Sequence, residues 1–112
     1  MKRKSVIRFA DQKLKGALEQ LHNSTTEDRK LHDFINKAFD ELEENAFCGI
    51  QIPKKLIPKE YITKYGINNC WKYNLPGAWR LIYSIVDAGE IMLISLILEW
   101  LDHKSYKRRF KY

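Results

Sequence analysis

Hydrophobic and polar residues recur with two different periods along the chain, and the change of period separates helices from strands. Apolar residues three and four positions apart across 11–22 predict a first amphipathic helix. A capping pattern, Ser24-Thr25-Thr26-Glu27, starts a second helix that runs to about residue 45. Its apolar stripe consists of Leu31, Phe34, Ile35, Ala38, Phe39 and Leu42. The tight joint between the two helices predicts an antiparallel helical hairpin.

The second half of the chain has the two-residue period of strands. Residues 70–75 and 79–86 alternate and are joined at Pro76-Gly77, a pair that suits the centre of a type II turn. The continuous apolar run 91–98 predicts a strand buried on both faces at the sheet centre. Three further elements are expected: a short strand over 6–9, a short helix over 58–66 and a short basic helix or tail over 102–110. Between the second helix and 58–66, residues 47–57 are expected to be irregular or briefly extended, because Pro53 does not suit a central strand.

This order of elements, β-α-α-(α)-β-β-β-α, predicts an α+β fold. We expect the N-terminal helical hairpin to pack on one side of an antiparallel β-sheet of about four strands, with a short basic C-terminal helix. The 112 residues, of which 45% are apolar and 30% charged, suit a single globular domain spanning 1–112.

The net charge of +6 permits an anionic partner, and its distribution sharpens that inference. Residues 26–45 carry seven acids and three bases, whereas residues 46–86 carry one acid and six bases. Residues 103–112 carry five bases and no acid. The positive charge is therefore concentrated in the part that is predicted to form the sheet and the last helix.

Other function classes leave no signal in the sequence. The sequence contains no metal-spaced ligand set, no glycine-rich phosphate loop and no paired catalytic carboxylates, so we expect neither a metal nor a cofactor. Cys48 and Cys70 form no CxxC pair, and we expect no disulfide between them. No apolar run is long enough for a membrane span or a signal h-region, which predicts a cytoplasmic protein without a membrane partner.

The predicted hairpin places two fixed cations together. If Trp71, Tyr73 and Leu75 face the core, then Lys72 points to the opposite face, where Arg80 of the next strand also lies. We expect the two side chains to meet on one open face of the sheet, an arrangement suited to an anion. An arginine on an exposed strand is also commonly solvated or salt-bridged, and that alternative stays open for Arg80.

The order of elements, together with three segments of sequence, resembles the RelE/ParE superfamily of bacterial and archaeal toxins. The segments are Trp71-Lys72-Tyr73-Asn74-Leu75, Trp79-Arg80-Leu81-Ile82-Tyr83 and Asp102-His103-Lys104-Ser105-Tyr106. The chain looks most similar to the RelE-like and HigB-like mRNA endonucleases, with a residue-specific match over about 70–106. The resemblance implies a ribosome-dependent RNase that cuts mRNA without a metal and is neutralised by a cognate antitoxin.

The resemblance also implies roles for individual residues. Arg80 matches the active-site arginine and Lys72 the first lysine of the preceding strand, while His103 and Tyr106 match a histidine and a tyrosine near the C-terminus. Asn74 lies where some RelE proteins have a second lysine. The arginine that they carry ahead of the tyrosine has no clear match, since Trp100 lies near that position; Lys104 and Arg108 are candidates to replace it. Separately, the clustered cations and aromatics of the last segment suit a surface that follows RNA phosphates, although a plain solvated tail is the alternative. With Asn74, the candidate RNA-contacting residues are Lys104, Lys107, Arg108 and Arg109, to which Lys111, Phe110 and Tyr112 can be added.

These side chains suit cleavage by the RNA 2′-OH. Arg80 would neutralise the phosphorane, and Lys72 would add charge or act as a base. Histidine is the best acid–base residue near neutral pH, so His103 is the candidate for proton transfer. Tyr106 would hold the base, share the transfer or stack on a nucleobase, or simply anchor the last helix. Two other readings of the same fold stay open: a ParE-like topoisomerase inhibitor, and a catalytically inactive RNA- or ribosome-binding module.

Overall fold

The computed structural model describes residues 4–89 and 92–110, and within them the predicted α+β class is confirmed. The strands are β1 (Lys4–Phe9), β2 (Ile50–Gln51), β3 (Trp71–Leu75), β4 (Trp79–Asp87) and β5 (Met92–Leu101). The helices are α1 (Gln12–His22), α2 (Thr26–Glu44), α3 (Lys59–Tyr65) and α4 (His103–Phe110). Predictions that involve Glu90, Ile91, Lys111 and Tyr112 fall outside the described residues. None of the helices that the structure describes is long and apolar enough to cross a bilayer.

The helical hairpin forms where the sequence pattern predicted it. The Asp11 carboxylate caps α1 by accepting the Lys13 amide at 2.9 Å, and the Thr25 hydroxyl caps α2 by accepting the Asp28 amide at 3.1 Å. Acidic residues in the first turn of α2 also suit the positive end of the helix dipole. The stripe that α2 turns to the sheet is buried at Leu31, Ile35, Ala38, Phe39 and Leu42. The Thr25 cap and the stripe together fix the start and the orientation of α2.

The sheet has five strands in the order β1-β5-β4-β3-β2, and β1 pairs with β5 in parallel while the other pairs are antiparallel. The prediction of a purely antiparallel sheet of about four strands is therefore corrected to a mixed sheet of five. The additional strand is the two-residue β2, which is too short to produce a periodic signal. β4 occupies the centre, and β5 lies beside it rather than at the centre.

Helices cover both faces of the sheet, which corrects the prediction that they lie on one side. Leu81, Tyr83 and Ile97 pack against α1 and α2. On the opposite face, Ile82 and Leu98 pack against aromatic residues of the two short helices, namely Tyr61, Tyr106 and Phe110. The face that carries Lys72 and Arg80 is therefore partly covered by Tyr61 of α3 and Tyr106 of α4. An anchoring role was one of the alternatives for Tyr106, whereas none was predicted for Tyr61.

A bulge in β5 determines on which face of the sheet Glu99, the one acidic residue of this strand, lies. Ile82 pairs with Glu99 while the next residue of β4, Tyr83, pairs with Ile97, so Leu98 is an extra residue in the ladder. Both Leu98 and Glu99 consequently belong to the face covered by α3 and α4. This shift places an acid beneath the two short helices.

The segment between α2 and β3 is tied down by one buried phenol. The Tyr83 hydroxyl donates to the Ala46 carbonyl at 2.7 Å and accepts the Gly49 amide at 3.2 Å. Tyr83 is fully buried, so these bonds replace water for a hydroxyl that would otherwise be unsatisfied. They hold β2 in register beside β3, and thereby fix one side of the strand that carries Lys72.

Stability is expected to fall steeply above about pH 9, because burial raises the pKa of the Cys70 thiol to about 12. Burial, followed by the hydrogen bond to Glu99, also raises the pKa of Tyr61. Because the pKa is higher in the folded state than in the unfolded state, the full stabilisation is present at pH values below the unfolded-state pKa. The stabilisation is lost as the pH rises towards the folded-state pKa, since the unfolded chain loses its proton first. Each group adds a slope of about 1.4 kcal/mol per pH unit in its window.

Urea unfolding at about pH 7, 9 and 10.5 measures this effect, since the unfolded thiol titrates near about 8.5. In a Cys70→Ala variant the decline between the two higher pH values should be shallower than in the wild type. Equal declines in the two proteins would contradict the assignment to the buried thiol.

Candidate nucleic-acid site

Lys72 and Arg80 lie on the same face of neighbouring strands and flank one aromatic ring. In the ladder, Lys72 is opposite Ile82 and Arg80 is opposite Asn74, so the two cations occupy adjacent diagonal positions. The Lys72 Nζ atom lies 5.1 Å and the Arg80 Cζ atom 5.4 Å from the centroid of the Tyr106 ring. Both distances are within the range of cation–π attraction. The predicted meeting of the two strands' cations with the tyrosine of the last helix is thus present in the structure.

Tyr106 is held as the floor of this cluster. The Asp102 carboxylate caps α4 by accepting the Ser105 amide at 2.8 Å, a hydrogen bond that lowers the pKa of Asp102. The Tyr106 ring packs 4.7 Å from the Phe110 ring and is only 2% exposed. So little of the ring is accessible that it offers no open face to a nucleobase. Anchoring α4 and supporting the two cations are the functions that its position allows.

Arg80 has hydrogen-bonding capacity that the protein does not use. Its Nε atom is buried without a hydrogen-bond partner among the described residues, and its Nη1 atom makes only a long bond, 3.4 Å, to the Trp79 carbonyl. Neither Lys72 nor Arg80 forms an ion pair within residues 4–89 and 92–110. A buried donor without an acceptor costs stability, and no acidic side chain of the described residues offsets the two positive charges. The pair is therefore arranged to receive an anion.

The other predicted site residues are distributed around this cluster. Asn74 is exposed beside Arg80, which places it at the rim. His103 is exposed at the first position of α4 and makes no hydrogen bond or ion pair to any described residue. Three further cations of α4 are exposed and have no ion pair in the described part of the chain: Lys104, Lys107 and Arg108. The structure brings together Lys72, Arg80, Asn74 and Tyr106, whereas His103 forms no hydrogen bond with any of them.

Arg109 is engaged inside the protein. Its Nη1 atom lies 2.5 Å from the Glu60 carboxylate and its Nε atom 3.2 Å from that of Glu99. Its guanidinium also lies 5.9 Å from the Tyr61 ring centroid, and Tyr61 donates to Glu99. Burial disfavours its charge, but attraction to Glu99, Tyr61 and Glu60 prevails and raises the pKa of Arg109.

The sequence patterns did not predict this network, which connects α4 to α3 and β5. The sequence contains one indication of this network: Glu60 is the one acidic residue among residues 46–86. An acid isolated in a basic segment indicates a specific cationic partner.

Replacing Arg109 by Gln is expected to lower the free energy of unfolding by about 1–3 kcal/mol, because it leaves the partly buried Glu99 carboxylate without its cation. Arg108→Gln, in the same helix but exposed and without an ion pair, is the matched control and should change stability by less than about 0.5 kcal/mol. Urea unfolding followed by circular dichroism measures both. A similar loss of unfolding free energy in the two variants would contradict a stabilising role for the ion pairs of Arg109.

Comparisons with known proteins assign no function to this site. No protein-family model, curated protein or solved structure matches this chain. Within residues 4–89 and 92–110, no group of three or more His, Cys, Asp or Glu side chains is placed to hold a metal ion. The site is defined by two cations without acidic partners, an unsatisfied guanidinium donor and one buried aromatic ring.

Proposed function

We propose that this chain is a RelE-like toxin, a ribosome-dependent and metal-independent mRNA endoribonuclease that inhibits translation in the cytoplasm. The observation that carries the proposal is the Lys72–Arg80 pair: two half-buried cations that lie beside Tyr106 on one face of the sheet and have no acidic partner among the described residues. The sequence resemblance over about 70–106 supports the same function. An RNA phosphate supplies the acceptor that this pair lacks.

In the proposed reaction the 2′-OH of one nucleotide attacks the adjacent phosphorus, and the bond from phosphorus to the leaving 5′-oxygen breaks. Arg80 offers two parallel N–H groups to non-bridging oxygens as negative charge develops in the phosphorane. Lys72, on the neighbouring strand, contributes a second positive charge at the same phosphate. One correctly aimed donor of this kind contributes about 3–4 kcal/mol to transition-state stabilisation.

Proton transfer and alignment account for the remaining acceleration. His103 is exposed at the start of α4, one turn before Tyr106, and is the candidate acid or base, with Lys72 as the alternative base. Such transfer contributes about 10²- to 10⁴-fold in rate. Alignment of the 2′-OH with the phosphorus would come from the ribosome, which holds the mRNA in a defined conformation. A small domain with few acid–base groups would then be active only on ribosome-bound message.

A catalytically inactive RNA- or ribosome-binding module is the second candidate. Two observations favour it: Tyr106 is buried, and His103 forms no hydrogen bond with any described residue. In that case the pair would bind a phosphate without moving a proton. Ribosome binding that produces no new RNA ends would support this reading over the first.

The proposed partners follow from the same charges. Besides the ribosome and mRNA, a cognate antitoxin with an acidic segment would complement the basic face formed by β3, β4 and α4. The toxin could act as a homodimer or be stored as a hetero-oligomer with that antitoxin. Reading the neighbouring open reading frame for a small acidic protein would test this expectation.

The experiment that tests the proposed function is induction of the chain in cells with mapping of mRNA 5′ ends. The wild type should arrest growth and produce new ends within translated regions, and Arg80→Ala should do neither. Growth arrest with intact message would contradict the nuclease proposal, and altered DNA supercoiling under those conditions would indicate a topoisomerase inhibitor.

A further inference from the structure

Two clefts adjoin on the face of the molecule that carries Arg80. The first, of about 360 Å³, is lined by Leu101, Ser105, Arg108, Arg109 and Glu60. The second, of about 440 Å³, is lined by Lys55, Lys59, Pro58 and neighbouring apolar residues, and it shares Glu60 and Arg109 with the first. They therefore lie on either side of the Arg109–Glu60 ion pair. We call these two adjoining clefts together the α3–α4 trough.

The trough begins beside the candidate site. Leu101, which lines the first cleft, is the ladder partner of Arg80, so the two residues are neighbours on the same face of the sheet. From there the trough runs along α4 past Arg108 to the lysines at the start of α3. A strand bound at Arg80 would therefore have the first cleft next to it on the same face of the sheet.

The charge of the trough is unbalanced in favour of cations. Its single acidic residue, Glu60, is paired with Arg109 at 2.5 Å. Lys55, Lys59 and Arg108 are exposed and form no ion pair with any residue in the described part of the chain. Three cations without acidic partners therefore line a groove whose own acid is already neutralised. A groove lined in this way is suited to binding the successive phosphates of a nucleic-acid backbone.

We propose that the α3–α4 trough binds the phosphates of the same RNA strand that is held at Lys72 and Arg80, at nucleotides flanking the scissile one. The inference rests on the proposed function and extends it to a second contact region. Lys55, Lys59 and Arg108 bind phosphates there, while the Arg109–Glu60 pair fixes α4 beside α3. Binding is sequence-independent, because these contacts are to the backbone.

The test uses a 2′-O-methyl RNA, which lacks the attacking hydroxyl, in lengths of about 3 and about 12 nucleotides that bracket typical site sizes. Fluorescence anisotropy at several salt concentrations gives the slope of log affinity against log salt. For the longer RNA, Lys55→Gln/Lys59→Gln should reduce the slope by about 1.4, since each single-strand phosphate contact contributes about 0.7. The slope for the short RNA should not change.

Lys13→Gln/Lys37→Gln is the matched control, because both lysines are exposed, lack ion pairs among the described residues and lie on the helical hairpin. It should leave both slopes unchanged, whereas Lys72→Gln should reduce both. If Lys72→Gln acts but Lys55→Gln/Lys59→Gln does not, the trough proposal is overturned and the proposed function stands. If the lysine pair affects only co-sedimentation with ribosomes, the trough contacts ribosomal RNA and the proposal is also overturned. No salt dependence in the wild type would overturn both proposals.

Discussion

An Arg80→Met variant is expected to lose mRNA cleavage by about 10²- to 10³-fold in single-turnover assays on programmed ribosomes, while remaining as stable as the wild type. The loss follows from removal of the guanidinium that would neutralise the phosphorane. Stability should change little, because the substitution removes a cation–π contact with Tyr106 and one hydrogen bond of 3.4 Å, but also removes the buried, unsatisfied Nε donor. Methionine keeps the apolar stem of the side chain without its charged head.

Arg80→Lys separates charge from geometry in the same assay. It retains the positive charge but loses the planar fork, so its cleavage rate should fall between those of the wild type and Arg80→Met. Urea unfolding of both variants gives the companion measurement. If cleavage by Arg80→Met falls together with several kcal/mol of stability, Arg80 is a structural residue and the mechanism proposed for it is wrong.

Gly49→Ala is expected to destabilise the protein by about 2–4 kcal/mol and to weaken the candidate site at the same time. A Cβ atom at Gly49 would lie 2.5 Å from the Tyr83 hydroxyl oxygen and 2.6 Å from the Lys72 carbonyl oxygen. One of these atoms belongs to a fully buried side chain and the other to the backbone of β3, so neither can move without shifting the sheet. The shift would break the bond between the Gly49 amide and Tyr83 and displace the strand that carries Lys72.

Gly16→Ala is the control with the opposite expected sign. Gly16 lies inside α1, and a Cβ atom added there would meet no neighbouring atom within 4 Å, so alanine should stabilise the helix by about 0.5–1 kcal/mol. Thermal unfolding and RNA affinity should be measured for both variants. If the Gly49→Ala protein were as stable as the Gly16→Ala protein, Tyr83 would not lie close enough to residue 49 to exclude a methyl group.

Local patterns predicted the parts of this protein that local interactions determine. The capping pattern at 24–27 and the apolar stripe of α2 lie within a few residues of the positions where they act, and the hairpin formed as expected. Alternation in β3 and β4 also assigned Lys72 and Arg80 to one face, because the side-chain period of a strand is two residues. The meeting of the two cations was therefore predictable from spacing alone.

The remaining features depend on contacts between distant residues. Alternation does not reveal that β1 pairs in parallel with β5, since the same pattern fits any neighbour and either direction. A bulge of one residue at Leu98 cannot be read from an apolar run, yet it places Glu99 beneath Arg109. The burial of Tyr106 depends on Phe110 and on the position of α3, which no periodicity in a short basic helix specifies.

The pairing of β1 with β5 has a consequence for the order in which the protein can assemble. Lys4 is in register with Met92, so the first strand has no neighbour in the sheet until almost all of the described chain has been synthesised. Contacts so far apart in sequence are slow to form, because a long loop must close before they contribute. During translation the helical hairpin would therefore emerge with its apolar stripe uncovered, a state prone to aggregation at the ribosome. Tyr106 follows β5 in the chain, so the surface that we assign to RNA would be completed only in the last steps of folding.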